Sequence, residues 1–156
     1  MRTETKTYIS RIAPDDMPAL ERIENAVGLN FWGEGNYQRF LDAPAECFGC
    51  KVSLVADGGT PDIVGFLLAR SILETLEILK VGVLPELQNR GLGTSLMQAA
   101  YAEGIRRGCE HCLLEVRKSN ENAVRFYGKE KFRIIGSRQD YYSSPVEDAW
   151  VMERDL

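Results

Sequence analysis

Residues 81–94, VGVLPELQNRGLGT, are the most informative segment of the sequence. A strand-like apolar run ends here, and a glycine-rich turn opens directly into a helical pattern over residues 90–107. Backbone N–H groups in the first turn of a helix lack internal partners and carry the positive end of the helix dipole, so they suit a phosphate. Gly91 and Gly93 let the main chain approach a pyrophosphate, and Arg90 adds a permanent positive charge.

Other interpretations of this turn use the same residues. A plain helix start with two packing glycines remains open from the spacing alone. A nucleotide P-loop is excluded because no Gly-Lys-Ser/Thr follows. A dinucleotide fingerprint is disfavoured because Met97 lies near the place of its third small residue, and 156 residues are few for a full Rossmann fold.

The pattern on either side of the turn predicts one mixed sheet. We predict strands at residues 7–12, 51–56, 63–70, 76–84, 112–116, 132–137 and 149–153, and helices at 15–25, 37–41, 90–107 and 119–129. The strand–helix–strand crossover in the middle requires a parallel pair with antiparallel neighbours. The expected fold class is therefore α+β, with about seven strands flanked by about four helices.

Composition sets the broad class of protein. A chain of 156 residues fits a single domain over residues 1–156. The net charge of −4 argues against non-specific nucleic-acid binding, which needs a positive field. Residues 1–7 hold no apolar run for a secretory signal, and the longest apolar stretches are strand-sized, far short of a membrane span. We expect a cytoplasmic protein with no membrane partner and reduced cysteines.

Two blocks and the C-terminal tail resemble a known superfamily. Residues 88–93, QNRGLG, match the Q/R-x-x-G-x-G/A signature of the GCN5-related N-acetyltransferases (GNAT). Residues 114–127, LEVRKSNENAVRFY, resemble the L-E-V-R-x-S-N-x-x-A-x-x-x-Y block of its ribosomal-protein-alanine N-acetyltransferases. The tail, a Tyr-Tyr pair before Glu-Asp-Ala and Met152, is similar to that of enzymes acetylating protein N-terminal amines. The resemblance is clear from about Leu76 onward, and before that it rests on element order and Trp32.

The resemblance implies the GNAT fold and acetyl-CoA as cosubstrate. It assigns the end of one strand to the pantetheine arm, the glycine-rich turn to the pyrophosphate, and one asparagine at a helix start to a further cofactor contact. The implied cofactor-binding residues are Val81, Gly82, Val83, Gln88, Asn89, Arg90, Gly91, Leu92, Gly93, Thr94 and Asn120.

The same resemblance makes Glu115 the general base and Tyr127 the general acid. An amine that attacks a thioester must lose a proton, and the departing thiolate must gain one. A peptide α-amine has a pKa of about 7.7–8.0, so a carboxylate is an adequate base, directly or through water. We expect an apolar strand around Glu115 to raise its proton affinity. Without the resemblance, Glu115 is interpreted as a solvated strand residue, Tyr127 as a core aromatic and Asn120 as a plain N-cap.

The acceptor implied by the resemblance is a protein N-terminal α-amine. Trp32, Tyr141 and Tyr142 are its candidate substrate-binding residues, although the two tyrosines could simply pack the final hairpin. Lys80 departs from the small polar or acidic residues more usual at this strand end. A small amine such as an amino acid or a polyamine is an alternative acceptor, and a non-catalytic acyl-CoA-binding module is a second alternative. An exposed edge strand could support a homodimer.

Two C-x-x-C pairs, Cys47/Cys50 and Cys109/Cys112, raise the question of zinc. Zinc ribbons separate such pairs by about 15–20 residues, whereas the cofactor strand and helix lie between these two. The pairs should also precede two strands that are not neighbours, with Cys112 entering the core. We therefore predict ordinary thiols and no metal. His111 is the only histidine, and no Gly-x-Ser-x-Gly motif accompanies it, which disfavours a serine hydrolase.

Overall fold

The computed structural model describes residues 4–30 and 32–156, which fold into a seven-stranded sheet with helices on both faces. The strands are β1 (Lys6–Arg11), β2 (Cys47–Val55), β3 (Asp62–Ile72), β4 (Thr75–Val83), β5 (His111–Arg117), β6 (Arg133–Ser143) and β7 (Val146–Asp155). The helices are α1 (Met17–Val27), α2 (Gly33–Leu41), α3 (Leu92–Arg106) and α4 (Glu121–Lys129). No helix in these ranges is long and apolar enough to cross a membrane.

The sheet has the order β1-β2-β3-β4-β5-β7-β6. The β4–β5 pair is parallel and is bridged by α3, whereas the other neighbouring strands pair antiparallel. The mixed α+β sheet and its central crossover are therefore confirmed. Five strands (β2, β3, β5, β6 and β7) are longer than predicted, most of all β6, which continues to Ser143, and β7, which begins at Val146.

The central strands are buried on both faces, so each contributes to two cores. In β3, Leu67 and Ala69 belong to the core under α3, whereas Phe66 and Leu68 belong to the core under α1 and α2. This alternation follows from the two-residue period of a strand. The helices are thereby fixed against opposite faces of the same strands.

The parallel pair separates soon after it starts. β4 and β5 pair from Thr75↔His111 only as far as Ile78↔Leu114, although both strands continue beyond. On its other side β4 carries a β-bulge, because Ala69 pairs with Ile78 and Leu68 with Lys80, which leaves Leu79 as the extra residue. A bulge bends a strand and increases its local twist. The edge of β4 beyond the bulge therefore diverges from β5 and opens a gap in the sheet.

The first cysteine pair lies within β2 rather than before it, whereas the second pair begins before β5 and ends in it. Cys47 and Cys50 are part of β2, and Cys112 is part of β5, so β3 and β4 stand between the pairs. Burial raises the pKa of both Cys50 and Cys112 to about 12. Among the residues described, no group of three or more His, Cys, Asp or Glu side chains is placed to hold a metal ion. The prediction that Cys112 enters the core is confirmed.

This burial predicts which thiols react. In the folded protein at about pH 8, we expect a thiol-specific reagent to modify Cys47, which is partly exposed, far faster than the three buried cysteines. Mass spectrometry after a timed reaction would identify the modified residues, with a urea-unfolded sample as control. Rapid modification of all four thiols in the folded protein would contradict the packing described.

Candidate active site

A cleft of about 670 Å³ opens where β4 and β5 separate. Its lining comes from the end of α1 and the segment after it, from β4 and β5, from α4, and from the end of β6. The site residues predicted from sequence that line it are Trp32, Val81, Glu115, Asn120, Tyr127, Tyr141 and Tyr142. The separated strands thus gather residues from both halves of the chain around one space.

The cleft passes from one face of the sheet to the other. Along β5, Leu114 and Val116 pack in the core under α3 together with Tyr127. Glu115 lies between them in sequence, so its side chain points to the opposite face. Glu115 and Tyr127 therefore reach the gap from opposite sides of the sheet. Two reactants that enter from the two faces would meet between them.

Tyr127 is buried on the α4 side of the cleft. Its ring centroid lies 5.3 Å from that of Phe126 and 5.8 Å from that of Phe132. Burial is the main cause that raises the pKa of the Tyr127 hydroxyl above its usual value. The hydroxyl therefore stays protonated at neutral pH, which is the form in which it can donate a proton.

Glu115 is surrounded by polar groups rather than by the apolar strand expected from sequence. Its Oε1 atom lies 2.5 Å from Nε of Arg138, and its side chain is 19% exposed. The Tyr141 hydroxyl also hydrogen-bonds to this carboxylate, and that bond is the main cause that raises the pKa of Tyr141 to about 12. The expectation of apolar surroundings was wrong because β6 extends far enough to bring Arg138 and Tyr141 beside β5.

Arg138 is a site residue that the sequence did not indicate. The final hairpin was predicted to lose its strand character at Ser137, one residue earlier. β6 is exposed over nearly its whole length, so its polar residues show no alternation of buried and exposed positions. Such a strand carries little of the periodicity on which a sequence-based prediction depends.

The glycine-rich turn begins α3 with several free donors. Gly91 is the N-cap residue with φ 81°, and the first bond of the helix runs from Ser95 N–H to Gly91 O over 3.0 Å. The N–H groups of residues 92–94 therefore have no partner within the helix. Before the helix, Gln88 Nε2 donates to Val83 O at 3.0 Å and fixes the turn to the end of β4. The predicted pyrophosphate-binding residues do not line the cleft but follow β4 in the chain. They are Gln88, Asn89, Arg90, Gly91, Leu92, Gly93 and Thr94.

Glycines 82 and 93 also have packing reasons. A Cβ on Gly82 would lie 3.2 Å from Leu29 Cδ1, and one on Gly93 would lie 3.2 Å from Phe126 Cζ. The packing interpretation is therefore correct for Gly93, and it is compatible with a binding turn because the N–H groups of that turn remain unpaired. Asn120 likewise is an N-cap, accepting from Ala123 N–H at 3.2 Å, and it also lines the cleft.

Arg117 fastens the β6–β7 hairpin over the cleft. It donates to Ser144 O at 3.2 Å and to Pro145 O at 3.0 Å, and it stacks 4.2 Å from the Tyr142 ring centroid. Glu147, at the start of β7, accepts from Ser119 N–H at 2.7 Å, just before α4. Hydrogen bonds from Ser119 are the main cause that lowers the pKa of Glu147. The hairpin carrying Tyr141 and Tyr142 is therefore fixed relative to both catalytic candidates.

The arrangement as a whole defines a transferase site. A free strand edge and a helix start offer donors to an anionic cosubstrate on one side, and a carboxylate faces a second, open entrance. Holding two substrates in one cleft allows direct transfer between them.

Comparison with known proteins places the chain within this class. The family model described as Acetyltransferase (GNAT) family matches residues 17–132. The [ribosomal protein bS18]-alanine N-acetyltransferase of Salmonella typhimurium (strain LT2) is 30% identical over 146 residues, covering 92% of this chain and 94% of that protein. The crystal structure of the ribosomal-protein-S18-alanine N-acetyltransferase from Escherichia coli superposes with a TM-score of 0.82 at 25% identity, covering 97% and 94% of the two chains.

A further solved structure shares the fold with its cosubstrate bound. Arabidopsis thaliana NAA60 in complex with acetyl-CoA gives a TM-score of 0.82 at 20% identity, covering 97% of this chain and 99% of that one. The chain belongs to the Acetyltransferase (GNAT) family. It is an acetyl-CoA-dependent N-acetyltransferase, as the sequence motifs predicted.

The turn provides a test of the pyrophosphate assignment through Arg90, which is exposed. Replacing Arg90 by alanine should weaken acetyl-CoA binding about 10- to 100-fold, since a hydrogen bond to a charged group contributes about 1.5–3 kcal/mol. Calorimetry should show unchanged affinity for acetyl-pantetheine, which lacks the pyrophosphate. Arg39→Ala, at an exposed position of α2, is the matched control. Equal loss for both ligands would contradict the assignment.

Proposed function

We propose that this enzyme transfers the acetyl group of acetyl-CoA to the N-terminal α-amine of a protein. The observation that carries the proposal is the position of Glu115, whose carboxylate faces the open side of the gap between the Trp32 segment and the β6–β7 hairpin. The names of the relatives support it, since they include [ribosomal protein bS18]-alanine N-acetyltransferases.

The proposed chemistry divides the proton transfers between the two faces of the sheet. Acetyl-CoA supplies an acetyl thioester. Glu115 accepts, directly or through water, the proton that the amine loses as its nitrogen bonds to the acetyl carbon. Tyr127 gives its proton to the sulfur as the C–S bond breaks, and the products are the N-acetyl amide and free CoA. The raised pKa of Tyr127 means that its hydroxyl is protonated before the reaction begins.

The cofactor half of the site follows the open edge of β4. The main chain of Val81, Gly82 and Val83 lies beyond the last residue pair with β5, so its outward groups, apart from the Val83 carbonyl that accepts from Gln88, are available to the pantetheine arm. The unpaired N–H groups at the start of α3 follow directly and would hold the pyrophosphate. Asn120 stands at the mouth of the same cleft, where its amide can contact the cosubstrate.

The acid role predicts a specific kinetic effect at Tyr127. Tyr127→Phe should lower kcat about 10²- to 10⁴-fold, the usual contribution of general acid–base catalysis, while the Kd of acetyl-CoA stays within about twofold. Steady-state kinetics and calorimetry measure the two quantities. The matched control is Tyr101→Phe, because Tyr101 is equally buried on α3 but its hydroxyl bonds to Glu130 outside the cleft. An unchanged kcat in Tyr127→Phe would remove the acid role.

The acceptor class is tested with three substrates in parallel. One is a short peptide with a free N-terminal alanine, the second is the same peptide blocked at its N-terminus and carrying an internal lysine, and the third is spermidine. We expect acetylation of the free N-terminus alone. Release of the CoA thiol and the mass of the peptide product measure the reaction. Transfer to spermidine only would indicate a small-amine enzyme. Tight acetyl-CoA binding with no transfer to any acceptor would indicate a binding module.

A further inference from the structure

A buried ion pair joins β4 to α1 beside the cleft. Lys80 Nζ lies 2.9 Å from Glu24 Oε1, and the two side chains are 6% and 0% exposed. Lys80 reaches this face because the bulge at Leu79 shifts the alternation of β4, so that Lys80 pairs with Leu68 of the core under α1 and α2. Lys80 is one of the residues that depart from the superfamily pattern at this strand end, and its partner comes from 56 positions earlier in the chain.

The remaining contacts of this pair hold the segment between α1 and α2. Lys80 Nζ also donates to the carbonyl oxygen of Asn30. Glu24 Oε2 accepts from Trp32 N–H at 3.4 Å, and Glu24 Oε1 accepts from the Tyr37 hydroxyl. The Trp32 ring centroid lies 5.3 Å from Lys80 Nζ. Two buried charges therefore hold main-chain groups of Asn30 and Trp32, which belong to neither α1 nor α2.

Stability alone does not account for such a pair. Removing two charges from water costs free energy that their attraction often fails to recover, so apolar side chains of similar size usually serve as well. Burial is the main cause that lowers the pKa of Lys80, because removing the ammonium group from water disfavours its charged form. Apolar replacements, however, would leave the Asn30 carbonyl and the Trp32 N–H without these partners.

We propose that Lys80 and Glu24 are positioning residues for the acceptor. By holding Asn30 and Trp32, they set part of the wall of the acceptor entrance, in the cleft that Tyr142 also lines. Lys80 itself lines the cleft, but its charged atom and that of Glu24 are bonded to each other and to this segment, so both residues act through Trp32 rather than on the reacting atoms. The inference rests on the proposed function for its assignment of this entrance to the acceptor.

The test separates a positioning role from a purely structural one. Lys80→Met leaves a buried carboxylate unpaired and should lower Tm. The double variant Glu24→Gln/Lys80→Met removes both charges and should recover most of the lost Tm. In the double variant we expect the KM for the N-terminal peptide to stay about tenfold or more above wild type, with kcat and the Kd of acetyl-CoA within about twofold. Recovery of KM together with Tm would overturn the proposal.

A second readout needs no acceptor. Trp32 and Trp150 are the two tryptophans, so in a Trp150→Phe background the fluorescence reports on Trp32 alone. Acrylamide should quench Trp32 more strongly in the double variant than in its parent. The matched control is Asp16→Asn/Lys51→Met, a pair of 2.5 Å that joins α1 and β2 away from the cleft and should leave both quenching and KM unchanged.

The outcomes distinguish the two proposals. If the wild-type enzyme acetylates no peptide N-terminus, the proposed function fails, and the KM comparison is made with the amine that it does accept. If the wild type acetylates the peptide but the double variant matches it in KM and in quenching, the positioning role fails and the proposed function stands.

Discussion

The parallel pairing of β4 and β5 stops after Ile78 and Leu114, and the rest of the site depends on this interruption. A strand in the middle of a sheet normally satisfies its main-chain groups on both sides. Beyond the bulge at Leu79, β4 keeps its bonds to β3 and leaves the other edge open. An open edge inside a protein requires either water or an extended ligand, and a pantetheine arm is an extended chain that carries two amides. The open edge of β4 therefore offers a ligand the main-chain groups that a neighbouring strand would otherwise bond.

The same gap allows chemistry to be divided between two faces. A continuous sheet would separate Glu115 from Tyr127, since alternate residues of β5 point in opposite directions. With the strands apart, both side chains line one space, although each is supported by different neighbours. Tyr127 is held by aromatic packing, and Glu115 is held by polar contacts on the accessible side. Burial thus preserves the proton of one residue while the other remains open to an incoming amine.

The sequence predicted those parts of the structure that depend on local periodicity. The crossover, the glycine-rich turn and the buried strands carry repeating apolar positions, and they lie close to where the pattern placed them. The ion pair of Lys80 with Glu24 and the contact of Arg138 with Glu115 could not be inferred in this way. Each joins residues far apart in sequence, and each depends on a register that a bulge alters by one position. The position of a bulge cannot be read reliably from the residue types of a strand.

The charges around Glu115 bear on which amine the proposed reaction can use. Arg138 holds a guanidinium beside the carboxylate, so an acceptor that arrives as an ammonium meets a like charge as well as the base. At pH 7 about one α-amine in ten is neutral, whereas only about one lysine in 2,500 is, given pKa values of about 7.7–8.0 and 10.4. A site that admits only the neutral amine therefore reduces the usable concentration of an α-amine about tenfold, and that of a lysine far more. In the reaction that we propose, Arg138 therefore favours an α-amine over a lysine through protonation state, before any contact with the acceptor side chain is made.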